Sequence, residues 1–98
     1  MKFRFPKQDG KAIVKAIEQA LGGRSLADMV KFDASPTNLI VTISKLGTST
    51  LTFSRTDAGN EVEYALKEEK IAFTHKAFKD DVTQKLLNVI EKAGGKLV

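Results

Sequence analysis

Cysteine is absent from this sequence, which excludes a disulfide framework, a thiolate nucleophile and any metal site built on sulfur. Histidine occurs once, at position 75. A general base needs a partner in reach, and the sequence shows no metal-ligand spacing, nucleophile elbow, phosphate loop or dinucleotide fingerprint. His75 therefore reads as a surface histidine beside Lys76. Asp80 and Asp81 are neighbours that point about 100° apart on a helix. Glu61 and Glu63 read as a solvated pair on one strand face, and Glu68-Glu69 as a charged turn. Catalysis is the function class with least material, and no cofactor or metal is expected. No apolar run reaches the roughly 18–20 residues that span a bilayer, and Met1–Pro6 lacks the apolar segment of a signal peptide. The expectation is one cytoplasmic domain over residues 1–98.

Charge of one sign is scarce except in the first third. Residues 1–31 hold seven basic and three acidic groups, which accounts for the whole net charge of +4. The later segments balance. Lys2, Arg4, Lys7, Lys11, Lys15 and Arg24 are thus the candidate residues for a polyanion or nucleic acid, with Phe3 and Phe5 interleaved between the first of them. The competing reading is that lysines solvate a helix face and the phenylalanines anchor a terminal strand.

What the chain does contain is alternation. Leu39, Val41 and Ile43 share one strand face, as do Leu51 with Phe53, and Val62 with Tyr64 and Leu66. Pairing Val41 with Phe53 and Ile43 with Leu51 brings the apolar faces together around a Leu46–Thr48 loop. Asp57-Ala58-Gly59-Asn60 makes the second turn. Thr42, Ser44, Thr50, Thr52 and Ser54 then form a hydroxyl-rich opposite face, an uncharged surface suited to pairing with another sheet.

Asp9 caps a helix with Ile13, Ile17, Ala20 and Leu21 on its apolar stripe, closed by Gly22-Gly23. Residues 24–34 read as a brief turn followed by a strand that ends before Ser35-Pro36-Thr37-Asn38. Residues 2–5 supply a further edge strand before Pro6. Thr74 is placed to cap a long last helix, with Phe73 and Phe78 as a hydrophobic staple. Phe78, Val82, Leu86, Val89, Ile90 and Ala93 form its stripe, and Gly94-Gly95 stops it. The tail from Lys96 to Val98 is expected to be loose. The fold class is α+β, an antiparallel sheet of four or five strands with two amphipathic helices on one face, in the order (β)-α-β-β-β-β-α.

In layout, residues 39–93 resemble the short polyhydroxyalkanoate-granule system proteins, with an antiparallel meander that has a glycine, Gly47, after its first strand, and then an amphipathic helix. The likeness carries no specific motif, and no residue role or function is transferred from it.

Three function classes remain. The first is a small non-catalytic interaction domain that binds a protein partner or itself, through the hydroxyl face. The second is a weak polyanion binder using the basic residues named above. The third is a carrier of a small hydrophobic ligand, held in a cavity between the last helix and the sheet.

Overall fold

The computed structural model describes residues 1–21 and 28–98, and of Phe78 the backbone only. The helix stop at Gly22-Gly23, the beginning of the turn expected within residues 24–34 and the candidate Arg24 lie outside the described residues. The elements are β1 (Lys2–Pro6), α1 (Gly10–Leu21), β2 (Val30–Ala34), β3 (Asn38–Ser44), β4 (Thr48–Ala58), β5 (Glu61–Lys70), a 3-10 helix (Phe73–Phe78), α2 (Lys79–Lys92) and β6 (Lys96–Leu97). The strands form a six-stranded sheet in the order β2-β3-β4-β5-β1-β6, and every neighbouring pair is antiparallel.

Six strands replace the expected four or five, because both termini are paired. The tail is β6, with Phe3 opposite Leu97 and Arg4 opposite Lys96. β1 is consequently an interior strand rather than an edge. The N–H groups of Leu66 and Lys7 donate to the carbonyls of Met1 and Asn60, so the odd positions of β1 bond to β5. Pro6, which has no N–H, faces the other side, beyond the end of β6, where no ladder bond is lost. The true edges are β2, five residues long with Lys31 and Asp33 on it, and β6, two residues long. Short or charged edges resist pairing with other chains. β4 lies between β3 and β5, so its hydroxyls do not mark an open edge.

Inward-facing residues alternate as the sequence requires. Phe3, Phe5, Val30, Phe32, Leu39, Val41, Ile43, Leu51, Phe53, Val62 and Tyr64 are buried, and they join Ile13, Ile17 and Leu21 of α1 and Leu86 and Ile90 of α2 in one core cluster. Both helices therefore cover the same sheet face. α1 starts just after Asp9, and it is the Asp9 backbone carbonyl that accepts the N–H groups of Ala12 and Ile13 there. Past α2, Gly94 takes φ +107°, while Gly95 N–H reaches Ile90 O and Gly94 N–H reaches Glu91 O, at 2.9 and 3.1 Å. That is a Schellman closure.

Three local expectations change. The β3–β4 register pairs Val41 with Leu51 and Ile43 with Ser49, two residues away from the pairing expected from the apolar faces. A shift of two keeps side-chain parity, so the core face survives, but it moves the three-residue loop back by one position to residues 45–47 and sets Ser49, inward by parity, opposite Ile43. β5 does not end at Leu66. Phe53 opposes Leu66 and Thr52 opposes Glu68, so Lys67 bulges out and the strand runs on to Lys70. Glu68 and Glu69 are therefore strand residues, not a turn, and the bulge brings Glu69 opposite Leu51 on the inner face. Finally, the last helix starts as a 3-10 turn, with no side-chain cap bond at Ala72. Thr74 does not cap it, and Phe73, 87% exposed, makes no staple.

Candidate ligand cavity

Along the inner face the strands run from a closed end to an open one. At the closed end Phe3 packs against Phe5, Phe53 and Tyr64, with ring centroids 5.9, 5.2 and 5.5 Å away. Toward the other end the inward positions become Met1, Ile43, Leu51, Ser49, Glu69 and Ile71, none aromatic, and α2 lays Val82 and Leu86 across them. The space left between them is a cavity of about 270 Å³. Most of its wall is apolar, and the uncharged polar residues that line it are Ser49, Thr74, His75 and Thr83. Charged side chains stand only at its rim, namely Lys45, Glu69, Lys79, Asp81 and Lys85. Leu46, 83% exposed, also lines it, so the cavity opens to solvent at the β3–β4 turn.

The turn is held by the segment that closes over it. Leu46 has φ +55° and Gly47 φ +135°, a conformation that a leucine adopts only at a cost. Thr74 Oγ1 donates to the Leu46 carbonyl and His75 Nε2 donates to the Lys45 carbonyl, both at 2.5 Å. A Cβ on Gly47 would stand 2.8 Å from Thr74 Oγ1 and 3.1 Å from Ala72 Cβ, so only glycine allows the two segments this close.

With Nε2 committed as donor, the neutral imidazole presents Nδ1 as an acceptor. The Ser49 hydroxyl donates to it at 2.5 Å and accepts the Ala72 N–H at 2.8 Å. Ser49 is 1% exposed and is the buried polar residue of the described core. The pair resembles a nucleophile and its base in composition, but the hydroxyl is sealed from solvent and both its hydrogen-bonding roles are filled. It fastens the 3-10 helix to the start of β4. His75 is thus half-buried and structurally engaged, not the surface histidine expected from its neighbours.

At the rim, Lys79 Nζ meets Glu69 Oε1 at 2.6 Å. The hydrogen bond to Glu69, with the charge of the same carboxylate, holds the Lys79 ammonium above its usual 10.5. Lys85 pairs with Asp81 one helical turn back, at 3.1 Å.

The sequence candidates do not gather into one place. Arg4 is on the outer sheet face, where its Nη2 lies 3.0 Å from Glu63 Oε1 and its Nη1 3.7 Å from Glu61. Lys2 follows the same alternation. Lys7 sits in the connection to α1, 3.9 Å from Asp57, and Lys11 and Lys15 are exposed on α1, in the layer that covers the inner face. The hydroxyl residues do come together. Thr42 opposes Thr50, Ser54 opposes Asn38, Thr52 opposes the partly exposed Ile40, and Ser44 opposes Thr48. Arg55, not singled out from sequence, reaches from β4 to Tyr64 Oη at 3.2 Å and to the Gln8 carbonyl at 2.7 Å, tying the start of α1 to the closed end. Ser49 was also missed. It alternates with Leu51 and Phe53 on the apolar side, and that parity was its one signal.

Among the described residues no three His, Cys, Asp or Glu side chains stand together as a metal-binding group, and no helix is long and apolar enough to cross a membrane. Comparison with protein-family models, with curated proteins and with solved structures finds no match.

Proposed function

We propose that the protein binds a small apolar molecule in the cavity between α2 and the open end of the sheet. The observation that carries this reading is the cavity itself, about 270 Å³ with an apolar wall. Ligand sites are concave, mostly apolar and pre-formed, with a few placed polar groups. An apolar cavity of about 150 Å³ holds a benzene-sized molecule, so this one suits a short acyl chain or a compact ring system. Ser49 and His75 are engaged with each other and with the backbone, so the charged rim, rather than this pair, is placed to meet a headgroup. Binding without turnover is favoured by the seal on Ser49, whose hydroxyl is spent on Ala72 and His75. Residence in the cytoplasm is part of the same reading.

Thermal unfolding with octanoate and with 1-octanol tests it. A ligand that binds only the folded state raises Tm with its concentration. Val82→Phe, which fills the cavity from α2, should abolish that rise while leaving unliganded stability within about 1.5 kcal/mol, because there is room for the added ring. Methyl NMR shifts of Ile43, Leu51 and Leu86 report on the unmodified protein. Their indifference to millimolar octanoate and octanol would reject the proposal.

Association through the outer face is the second reading. Its support is the Thr42–Thr50 pair beside Ile40, 37% exposed, on a sheet face that neither helix covers.

A further inference from the structure

Leu46 is the one non-glycine residue with positive φ among the described residues, and it is 83% exposed. Asparagine or glycine would occupy this backbone conformation at less cost, and a polar side chain would leave no apolar surface in water. Leu46 touches the cavity mouth, but most of its side chain stays in water, so packing does not account for a leucine here. Residues held in costly backbone conformations concentrate where a protein binds something. Phe73, at 87% the most exposed large apolar side chain among the described residues, belongs to the segment that meets the same turn, since its neighbour Thr74 holds the Leu46 carbonyl. Hydrogen bonds fix both elements, so this exposure is built in.

We infer that Leu46 and Phe73 form a docking tip for an anionic lipid surface, at the open end of the cavity. Two protruding side chains offer far less area than the roughly 800 Å² per partner of a stable protein interface. They are enough to enter the headgroup region of a bilayer, where aromatic and aliphatic side chains flanked by lysine are favoured. Lys45 adjoins Leu46, and Lys76 Nζ lies 6.0 Å from the centre of the Phe73 ring. The carboxylates that line this end of the cavity are paired with lysines. Glu69 is engaged by Lys79 and Asp81 by Lys85, while Asp80 acts on Lys79. The positive charge nearest the apolar side chains is therefore the charge a bilayer would meet. Such a tip would also set the cavity mouth against a source of apolar molecules, which goes beyond the ligand reading and is tested apart from it.

Co-sedimentation with vesicles of phosphatidylglycerol and phosphatidylcholine decides the matter. The expected result is binding to the anionic vesicles that weakens from 50 to 500 mM salt, on the order of a Debye-length change from ~14 to ~4 Å, and is weaker on phosphatidylcholine alone. Leu46→Asn keeps the left-handed turn and Phe73→Ser suits a helix start, so both should fold. Together they should lower the vesicle partition coefficient about tenfold or more. Phe73 does not line the cavity, so Phe73→Ser alone should leave the octanoate response in place, and Val82→Phe should still bind vesicles. The inference is overturned if the unmodified protein stays in solution with phosphatidylglycerol vesicles, or if the double variant binds them as well as the parent. It is equally overturned if sedimentation equilibrium shows that the two substitutions break up a dimer, which would make the tip a protein contact.

Discussion

The two ends of the inner sheet face are built from the same strands and held together in different ways. At the closed end Phe3, Phe53 and Tyr64 are wholly buried, with Phe3 stacked on Tyr64 and edge-on to Phe53, and α2 contributes Ile90 from its last turns. At the open end the residues are smaller, the bulge at Lys67 brings a carboxylate inward, and a 3-10 turn covers the strands through four side-chain hydrogen bonds. Aromatic packing leaves no room and needs no precise partner. The hydrogen-bonded closure leaves a cavity and depends on individual atoms. On the proposed reading, stability is concentrated at one end and binding at the other, a division expected where a site must stay open within a small core.

Substitutions at the two ends should separate these contributions. Phe53→Ala removes a fully buried ring at the closed end and should cost about 3–5 kcal/mol in a denaturant melt. A loss below about 1 kcal/mol, the average for any substitution, would mean that the closed end does not carry the core. Ser49→Ala, at the open end, strands the Ala72 N–H and the His75 Nδ1 and should cost about 1–3 kcal/mol. In native-state hydrogen exchange its effect should fall on the Ala72 and His75 amides before those of β1 and β5. An equal rise in exchange across all strands would erase the contrast between the ends. The smallest effect belongs to the rim. Because Glu69 raises the Lys79 pKa above its ordinary value in the folded state, the ion pair contributes stability fully below about pH 10.5, and this is lost as pH rises through the raised value. Lys79→Gln should leave the alkaline limb of a pH–stability curve slightly flatter and the neutral Tm little changed, as befits an exposed pair.

Which parts were legible from sequence follows from how locally each is encoded. Alternation placed Leu39, Val41, Ile43, Leu51, Phe53, Val62 and Tyr64 on the core face, since period-two burial is a property of the strand alone. The α1 stripe and the stop at Gly94-Gly95 were readable for the same reason, as each rests on residues within one or two turns. The cavity site was not legible in this way. Its polar end joins Ser49 to a histidine 26 positions away, and the chemistry of His75 and Lys76 alone favours a surface position.

The sequence by itself determined the class of the fold, an antiparallel sheet under two amphipathic helices, and which side of each strand faces the core. Those choices depend on side-chain polarity and spacing, which are written along the chain. Tertiary structure alone decided the exact register of the β3–β4 hairpin. Registers two residues apart give the same alternation and the same loop length, and the contacts of Thr74 and His75 with the Lys45-Leu46 carbonyls, together with the clearance at Gly47, go with the loop at residues 45–47. It decided that the tail becomes β6, because two residues of strand are stable only when β1 offers an open edge. It also decided that the space beside Ser49 stays open, since a cavity is a difference in volume between elements that no single segment contains.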